Sequence, residues 1–484
     1  MQLITQKRNN QDNQTANAEY QQKLKEYQDA VNKANAADAT YQSQLKEYQT
    51  KLNKFNQDWQ AYKNKNNLAS NSSVISSGMV DQGLKLGRES SAKVTFSNTV
   101  GTNTATGWNL GDNNTGGKTG YTYTIGQGSP YLSWGKYPWT LTRRNGYGEG
   151  STQYAFLANK INEPNISVTA TYTNLHNSSY TDNNGTKHQI SKIIATYKTS
   201  GNSTDWPILY INTDPYEGFW YMGVNPVSVT YQCFDENGNL IKFDNNAWIT
   251  VSSLNAGPNA QNGRHEYAQG TGNITFHQLA GASITDMGNG KMGSVFVNDN
   301  IRLKFNSDGS VNYGITDNNA HGGKALYEAI GQPGGNFSKG KLIDSNYYDG
   351  KDGYAMWDNA NGQGQYYGAT VGQINNGATS YTISYSSDTY GTGMGSNVKE
   401  ASYATTWAMP STTIPETPFK EKKPTPPTPP EKTPLPDKPV APNLKTTTVH
   451  YHYDVTTNRQ KTRRCKLYSI LRKYDDKLLK SVNK

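Results

Sequence analysis

Large side chains recur at alternating steps of four and three residues near the start of the chain. The positions are Tyr20, Leu24, Tyr27, Val31 and Ala34, followed by Tyr41, Leu45, Tyr48, Leu52, Phe55, Trp59 and Tyr62. A mean step of about 3.5 residues is the period of a coiled-coil seam. The segments AEYQQKLKEYQ and ATYQSQLKEYQ begin 21 residues apart, which is three heptads. The pattern predicts one heptad helix over residues 12–67, interrupted at Asp38, after a leader remnant over 1–11.

Between residues 78 and 410 the pattern changes to a period of two. Alternating runs occupy 166–175, 190–199, 228–243, 295–305 and 379–387, and Gly- and Asn-rich clusters separate them. Alternation over short runs is typical of half-buried strands, and Asn237-Gly238 is a strong hairpin signal. The segment predicts a large antiparallel β-sandwich, a mostly β head over 68–414, with one short helix over 324–330.

Prolines dominate the next segment. Eleven of the 20 prolines lie between Pro415 and Pro442. Because proline fixes φ and lacks an amide donor, residues 415–445 are predicted to form an extended polyproline II strip. Its length, about 95 Å at ~3.1 Å per residue, is close to the ~84 Å of a 56-residue helix. We expect the strip to lie along the heptad helix as a stalk, with a free linker as the alternative.

Composition and charge limit the classes of function. Aromatic residues make up 11% of the chain, including 34 tyrosines, so a core is expected although only 33% of residues are hydrophobic. No apolar run is long enough to span a membrane, and two cysteines exclude a disulfide framework. Most of the net charge of +9 lies in residues 456–484, which hold ten Lys or Arg and two Asp. The nearly neutral remainder predicts no nucleic-acid partner and no membrane insertion.

Three body segments and the segment after the strip resemble a known family. The segments are NTDPYEGFWY (212–221), FDENGNLIKF (234–243), AWITVSSLNAGPNAQNGRHEY (247–267) and VHYHYDV (449–455). Together with the order of helix, head and proline strip, they resemble the antigen I/II-type surface adhesins of Gram-positive bacteria, with a head of the glucan-binding protein C type. The resemblance implies a supersandwich head, a location at the cell surface and a possible structural calcium ion.

The sequence departs from that family at its ends. Members carry a signal peptide and an LPxTG sorting motif, and neither motif occurs in this sequence. Residues 446–455 are similar to the start of a C-terminal β domain, and the basic tail over 456–484 is not. We hypothesise a frameshift, a premature end or a truncated gene model after residue 455.

Aromatic and polar side chains cluster in three segments, 206–221, 248–255 and 347–367, and this mixture is typical of carbohydrate binding. Flat rings pack on the C–H face of a pyranose, and carboxylates and amides hydrogen-bond its vicinal hydroxyls. Trp357 is expected to be exposed in a loop over 347–367, whereas Trp220 and Trp248 could instead be core residues. The candidate carbohydrate-binding residues are Trp357, Asp358, Tyr354, Tyr366, Tyr216, Glu217, Trp220, Trp248 and Asn255.

Metal and catalytic motifs are weaker. Asp344, Asp349 and Asp352 are candidate calcium ligands in loops. Two motifs, Gly288-x-Gly290-x-x-Gly293 and the calcium-like loop that begins at Asp235, are interpreted as turns. A glycosidase needs only two carboxylates, so Asp214, Glu217, Glu266 and Asp358 leave that reaction open.

The sequence therefore favours a non-catalytic surface adhesin whose head binds an α-glucan and promotes adhesion or aggregation. An adhesin for a host glycoprotein or for a surface protein of a partner bacterium is the alternative. A glycoside hydrolase is the third reading.

Overall fold

The structure is a computed structural model. It describes residues 2–66, 68, 73–100, 108–109, 122–124, 140–142, 153–157, 165–200, 208–222, 226–256, 263–294, 298, 301–316, 341–343, 351–358, 363–390, 405–407, 411–446 and 448. The short helix predicted over 324–330 and the basic tail lie outside these residues.

One long helix precedes 26 strands in the described residues. The elements are α1 Gln2–Lys65, β1 Val74–Ile75, β2 Leu84–Lys85, β3 Lys93–Val100, β4 Trp108–Asn109, β5 Thr122–Thr124, β6 Thr140–Thr142, β7 Gln153–Leu157, β8 Ser167–Thr173, β9 Ser179–Thr181, β10 Lys187–Gln189, β11 Lys192–Thr199, β12 Ile208–Asn212, β13 Phe219–Met222, β14 Val227–Phe234, β15 Trp248–Val251, β16 Gly263–Gly272, β17 Ile274–Leu279, β18 Ile284–Asp286, β19 Lys291–Ser294, β20 Ile301–Phe305, β21 Val311–Thr316, β22 Lys341–Ile343, β23 Ala355–Met356, β24 Thr370–Ile374, β25 Tyr381–Tyr390 and β26 Thr405–Trp407. Short 3₁₀ turns lie at Ser77–Met79, Pro215–Glu217, Lys351–Gly353 and Gln365–Gly368.

The head is built on an eight-stranded sheet with the order β18-β19-β16-β25-β14-β11-β8-β3. Every pairing within it is antiparallel. The other sheets have the orders β26-β13-β12-β7-β4, β1-β17-β24-β15, β22-β21-β20-β23, β10-β9-β2 and β5-β6. The predicted mostly β, antiparallel architecture is confirmed, with parallel pairing only between β1 and β17 and between β21 and β22 among the described strands.

Aromatic contacts join the eight-stranded sheet to the five-stranded one. The ring of Phe219 on β13 lies 5.3 Å from those of Tyr197 on β11 and Tyr385 on β25. On the large sheet, β8 and β11 alternate buried and partly exposed residues, as a strand with one core face requires. One continuous core results, and tyrosines account for much of its volume.

The chain divides into two compact units, Met1–Lys46 with Pro427–Lys484, and Glu47–Pro426. In the first unit, the carbonyl of Lys445 accepts a hydrogen bond from the Asn13 side chain, and the amide of Lys445 donates to the same side chain (2.9 and 2.8 Å). In the second unit, Phe419 packs on Phe55 and Trp59 of α1. Residues before and after the head thus contact each other within each unit.

The helix starts earlier than predicted, at Gln2 instead of residue 12. Residues 2–11 contain neither glycine nor proline and are rich in Gln, Lys and Arg, which favour helix. Burial supports the predicted seam at Tyr20, Leu24 and Tyr27, which are less exposed than the residues between them, whereas Ala34 is exposed. α1 lacks the apolar character that a membrane-spanning helix needs.

The hairpin predicted over 228–243 is confirmed at its turn only. Gly238 has a φ of 80°, and the Asp235 carboxylate accepts the amides of Asn237 and Asn239 (2.9 and 2.7 Å). The second arm pairs through one bridge between Phe234 and Leu240 and through the Ile241 amide, which donates to the Cys233 carbonyl (2.9 Å). It then leaves the sheet, and the Phe243 amide donates to the Ala378 carbonyl (2.8 Å).

Candidate functional site

Four of the predicted binding aromatics are core residues. Trp357 and Tyr366 are fully buried, and Tyr354 and Trp248 are 5% and 8% exposed. The backbone of Trp220 lies in β13, and its side chain lies outside the described residues. The expectation that Trp357 is exposed is therefore wrong, whereas the alternative interpretation of Trp248 as a core residue is confirmed.

The segment around Trp357 is ordered by tight packing, not by a periodic pattern. Trp357 donates its indole N–H to the Asn298 carbonyl (2.8 Å), and its ring lies 6.1 Å from that of Tyr367. Gly364 and Gly368 approach so closely that a Cβ on either would overlap Trp357. The described parts of the predicted loop over 347–367 hold β23 and two 3₁₀ turns. The polar composition of the segment gave no sign that Trp357 is buried, because the space for this residue is left by two glycines of the same segment.

Asp358, the next residue, belongs to a polar cluster with Ser253, Asn255 and Glu266. Ser253 donates its hydroxyl to Asp358 (2.7 Å), and the Asn255 side chain donates to the hydroxyl oxygen of Ser253 (3.1 Å) and to Glu266 (3.2 Å). We call these four residues the Asp358 cluster. It unites two predicted residues, Asp358 and Asn255, that are about 100 positions apart in the sequence.

Backbone geometry positions the Asp358 cluster. Ser253 lies two residues after the end of β15 and has a φ of 59°, in the left-handed region. The Asn255 amide donates to Glu266 on β16 (3.0 Å), and the Glu266 amide donates to the Asn255 carbonyl (2.9 Å). The loop after β15 is thereby held against β16.

The carboxylates of the cluster differ in their environments. Burial raises the pKa of Asp358, and the Ser253 hydrogen bond opposes that rise. Glu266 is only 4% exposed, whereas Asp358, Asn255 and Ser253 are half-buried. Half-buried carboxylate, amide and hydroxyl groups can exchange hydrogen bonds with the hydroxyls of a sugar.

A second group of predicted residues lies on residues 212–218, which we call the Tyr216 turn. Tyr216 is 37% exposed and sits in the 3₁₀ turn Pro215–Glu217. Asp214 caps this turn by accepting the amides of Tyr216 (2.9 Å) and Glu89 (3.1 Å). Glu217 forms an ion pair with Arg88.

Buried carboxylates support the Tyr216 turn from below. Burial raises the pKa of Asp214, against the backbone hydrogen bonds that lower it. Glu89 is 1% exposed, and its carboxylate accepts the amides of His176 and Asn177 and the hydroxyl of Ser178 (2.7, 2.8 and 2.8 Å). Sequence reasoning missed Arg88 and Glu89, because they lie more than 120 residues before the turn and carry no motif.

The metal prediction stays open. Asp344 and Asp349 lie outside the described residues, and Asp352 is exposed, with a φ of 55°. No group of three or more His, Cys, Asp or Glu side chains suited to a metal ion occurs where side chains are described.

Local structure resolves the glycine motif and the environment of Cys233. Gly288 and Gly290 lie in the β18–β19 turn, where the Asp286 carboxylate accepts both amides (2.8 and 3.1 Å). The interpretation of this motif as a turn is confirmed. Cys233 is buried on β14, and burial raises the pKa of its thiol to about 12, so it stays a neutral core residue.

Comparisons with known proteins find one family model and several similar solved structures. The family model described as glucan-binding protein C matches residues 60–408. Among solved structures, the chain is similar to the glucan-binding protein C of Streptococcus mutans, with 22% identity and a TM-score of 0.40, over 87% of this chain and 99% of that one.

Two further solved structures are of one Enterococcus faecalis protein. The adhesin domain of PrgB matches with 19% identity and a TM-score of 0.41, over 74% of this chain and 96% of that one. The same domain bound to DNA matches with 22% identity and a TM-score of 0.36, over 54% and 71%.

Proposed function

This chain belongs to the glucan-binding protein C family, and we propose that it is a bacterial surface adhesin whose head, residues 68–414, binds an α-glucan such as dextran without cleaving it. The observation that carries the proposal is the family match, which covers residues 60–408 and hence nearly the whole head. Adhesion to a glucan, or aggregation of cells on it, would follow from many heads that engage one polymer.

The Asp358 cluster is the proposed contact site in the head. Asp358 and Asn255 offer planar acceptors and donors, and the Ser253 hydroxyl links them (2.7 and 3.1 Å). Planar groups of this kind match the paired hydroxyls of a glucose unit. The buried Trp357 fixes the backbone beneath Asp358, so the cluster is preorganised and little ordering entropy is lost on binding.

Retention of the full chain on cross-linked dextran tests the proposal. We expect retention that excess soluble dextran abolishes, and no release of reducing sugar from dextran during incubation. Loss of retention with a calcium chelator would add the proposed structural calcium to the mechanism. Release of reducing sugar would replace the adhesin with a glycoside hydrolase.

Two variants locate the site. Asp358→Ala is expected to reduce retention at least tenfold, and Asp308→Ala is the matched control. Asp308 is an aspartate in the exposed β20–β21 turn, where it accepts hydrogen bonds from the amide and the hydroxyl of Ser310 (2.9 and 2.6 Å). Equal retention of both variants would contradict the assignment of the Asp358 cluster.

A folded chain that dextran does not retain would favour the alternative, an adhesin for a host glycoprotein or a partner bacterium's surface protein. The expectation that nucleic acid is no partner stays a prediction, and duplex DNA added to the binding buffer tests it.

A further inference from the structure

We propose that the Tyr216 turn is a second carbohydrate subsite, in which the Tyr216 ring stacks on a pyranose while Glu217 and Arg88 bind its hydroxyls. This inference rests on the proposed function and adds a contact point separate from the Asp358 cluster.

Exposure of the Tyr216 ring is the first argument. Among aromatic side chains in the described residues, only Tyr216 and Phe305 are more than a third exposed, at 37% each. Most of the other described rings of the head are buried in one core, whereas part of the Tyr216 ring gives up that packing contact. Stacking on the C–H face of a sugar recovers that contact.

Rigidity of the turn is the second argument. The Asn212 side chain donates to the carbonyls of Glu217 and Gly218 (2.9 and 3.0 Å), and its own carbonyl accepts the buried hydroxyl of Tyr172 (3.1 Å). Pro215 restricts φ, and Gly218 supplies a φ of 68°. A ring held in place before binding loses little conformational entropy when a ligand arrives.

The chemistry beside the ring is the third argument. The Arg88 side chain is 57% exposed, whereas that of Glu217 is 11% exposed. A guanidinium carries five N–H donors, so pairing with one carboxylate leaves donors that face solvent. Together, the exposed ring, the donor-rich Arg88 and the acceptor Glu217 present an aromatic face with hydrogen-bonding groups at its edge, as a neutral hydroxylated ring requires.

Phe305 shows what the Tyr216 turn has in addition to exposure. Its exposed fraction is the same, and it ends β20 before the turn at 306–310. An ion pair with an exposed guanidinium is described at the Tyr216 turn and not around Phe305 within the described residues. Phe305 is therefore the matched control for loss of an exposed aromatic ring.

The test measures affinity of the full chain for a short α-1,6-linked glucose oligosaccharide, by calorimetry, and retention on cross-linked dextran. Tyr216→Ala is expected to weaken oligosaccharide binding at least fivefold, Tyr216→Phe to change it less than twofold, and Phe305→Ala to leave it unchanged. Glu217→Gln and Arg88→Gln test the polar edge, with an expected loss of three- to tenfold each.

The outcomes separate this inference from the proposed function. If the wild type binds dextran and Tyr216→Ala binds equally well, the subsite is overturned and the glucan adhesin stands. If Phe305→Ala weakens binding as much as Tyr216→Ala, general loss of surface apolar area explains the effect and the subsite is again overturned. If the folded wild type binds no glucan, both proposals are overturned.

Discussion

Trp357 is the largest side chain that the described part of the molecule buries completely. Removing it leaves a cavity and takes one of two hydrogen bonds from the Asn298 carbonyl, which also accepts the Ile301 amide (3.0 Å). Trp→Ala in a core costs about 3–5 kcal/mol. We expect Trp357→Ala to lower the free energy of unfolding by about that amount, measured by urea denaturation. Tyr216→Ala, at an exposed position, is the control and is expected to change stability by about 0.5 kcal/mol or less.

Loss of dextran retention in Trp357→Ala without a change in stability would contradict this account, because it would make the indole a ligand contact. Trp357→Phe refines the test, since it keeps an aromatic ring and deletes the N–H donor. Trp357→Phe should lower the free energy of unfolding by less than Trp357→Ala does.

A second prediction concerns the effect of Asp358 on how stability depends on pH. Burial raises its pKa in the folded state, so the folded chain binds more protons than the unfolded chain above the ordinary carboxyl pKa of 3.8. Asp358 therefore favours folding most below that value, and its favourable contribution is lost as the pH rises through the raised pKa. We expect Asp358→Asn to gain stability relative to the wild type between pH 4 and pH 7.

Denaturation of both proteins across that range checks the prediction. Burial also raises the pKa of Asp214, so the wild-type profile alone does not isolate Asp358, and the difference between the two proteins does. A constant difference from pH 4 to pH 7 would show that Asp358 titrates normally in the folded head.

The burial of these residues marks what the sequence could and could not show. Asp358 and Asn255 were recognised as polar candidates because residue type alone suffices for that. Two other findings depend on tertiary contacts that no local pattern encodes. One is the hydrogen bond from Ser253 to Asp358, and the other is the burial of Trp357 against Asn298 and two glycines. Residue chemistry was predictable, and exposure was not.

At the scale of elements, the exposure of residues in the proline segment varies with a period of three residues. Pro424, Pro427 and Pro430 are less exposed than their neighbours, and Pro439 and Pro442 repeat that step. A polyproline II helix has three residues per turn, so one of its faces would give this pattern. The conformation itself stays a prediction, and the burial period supports it.

In the first unit, helix and strip interact along part of their length. A groove of about 470 Å³ is lined by Tyr20 and Lys23 of α1 and by residues of the strip, from Pro436 to Pro442. Residues 32–40 of α1 and 431–438 of the strip are exposed throughout. The helix stretch surrounds Asp38, where the heptad pattern of the sequence is interrupted.

Removal of the strip tests whether it stabilises the helix. A helix in a protein gains most of its stability from packing against other parts of the chain. A chain that ends at Pro426 should therefore lose helical circular dichroism. A chain that ends at Thr446 is the matched control, since it keeps the strip and should keep the wild-type signal. Equal helical signals in the two truncated chains would show that α1 needs no cover from the strip.

At the scale of the whole molecule, the connections to the head meet in the second unit. Phe419 is 7% exposed, and its ring lies 5.1 Å from Trp59 and 5.3 Å from Tyr62. Ser77 and Thr417 exchange hydrogen bonds of 3.1 Å between amide and hydroxyl in both directions. The residues that enter and leave the head are thus fixed to each other. The junction is also dry enough that burial raises the pKa of Tyr62 to about 12.

A double-mutant cycle on Trp59 and Phe419 measures this junction. Each alanine variant should destabilise the chain, and the two effects should be non-additive by about 0.5–1.5 kcal/mol, because each removes the other's aromatic partner. Val440→Ala combined with Trp59→Ala is the control: Val440 is 88% exposed, and its effect should add to that of Trp59. Additive effects of Trp59→Ala and Phe419→Ala would mean that the entering and leaving segments are stabilised independently at this junction.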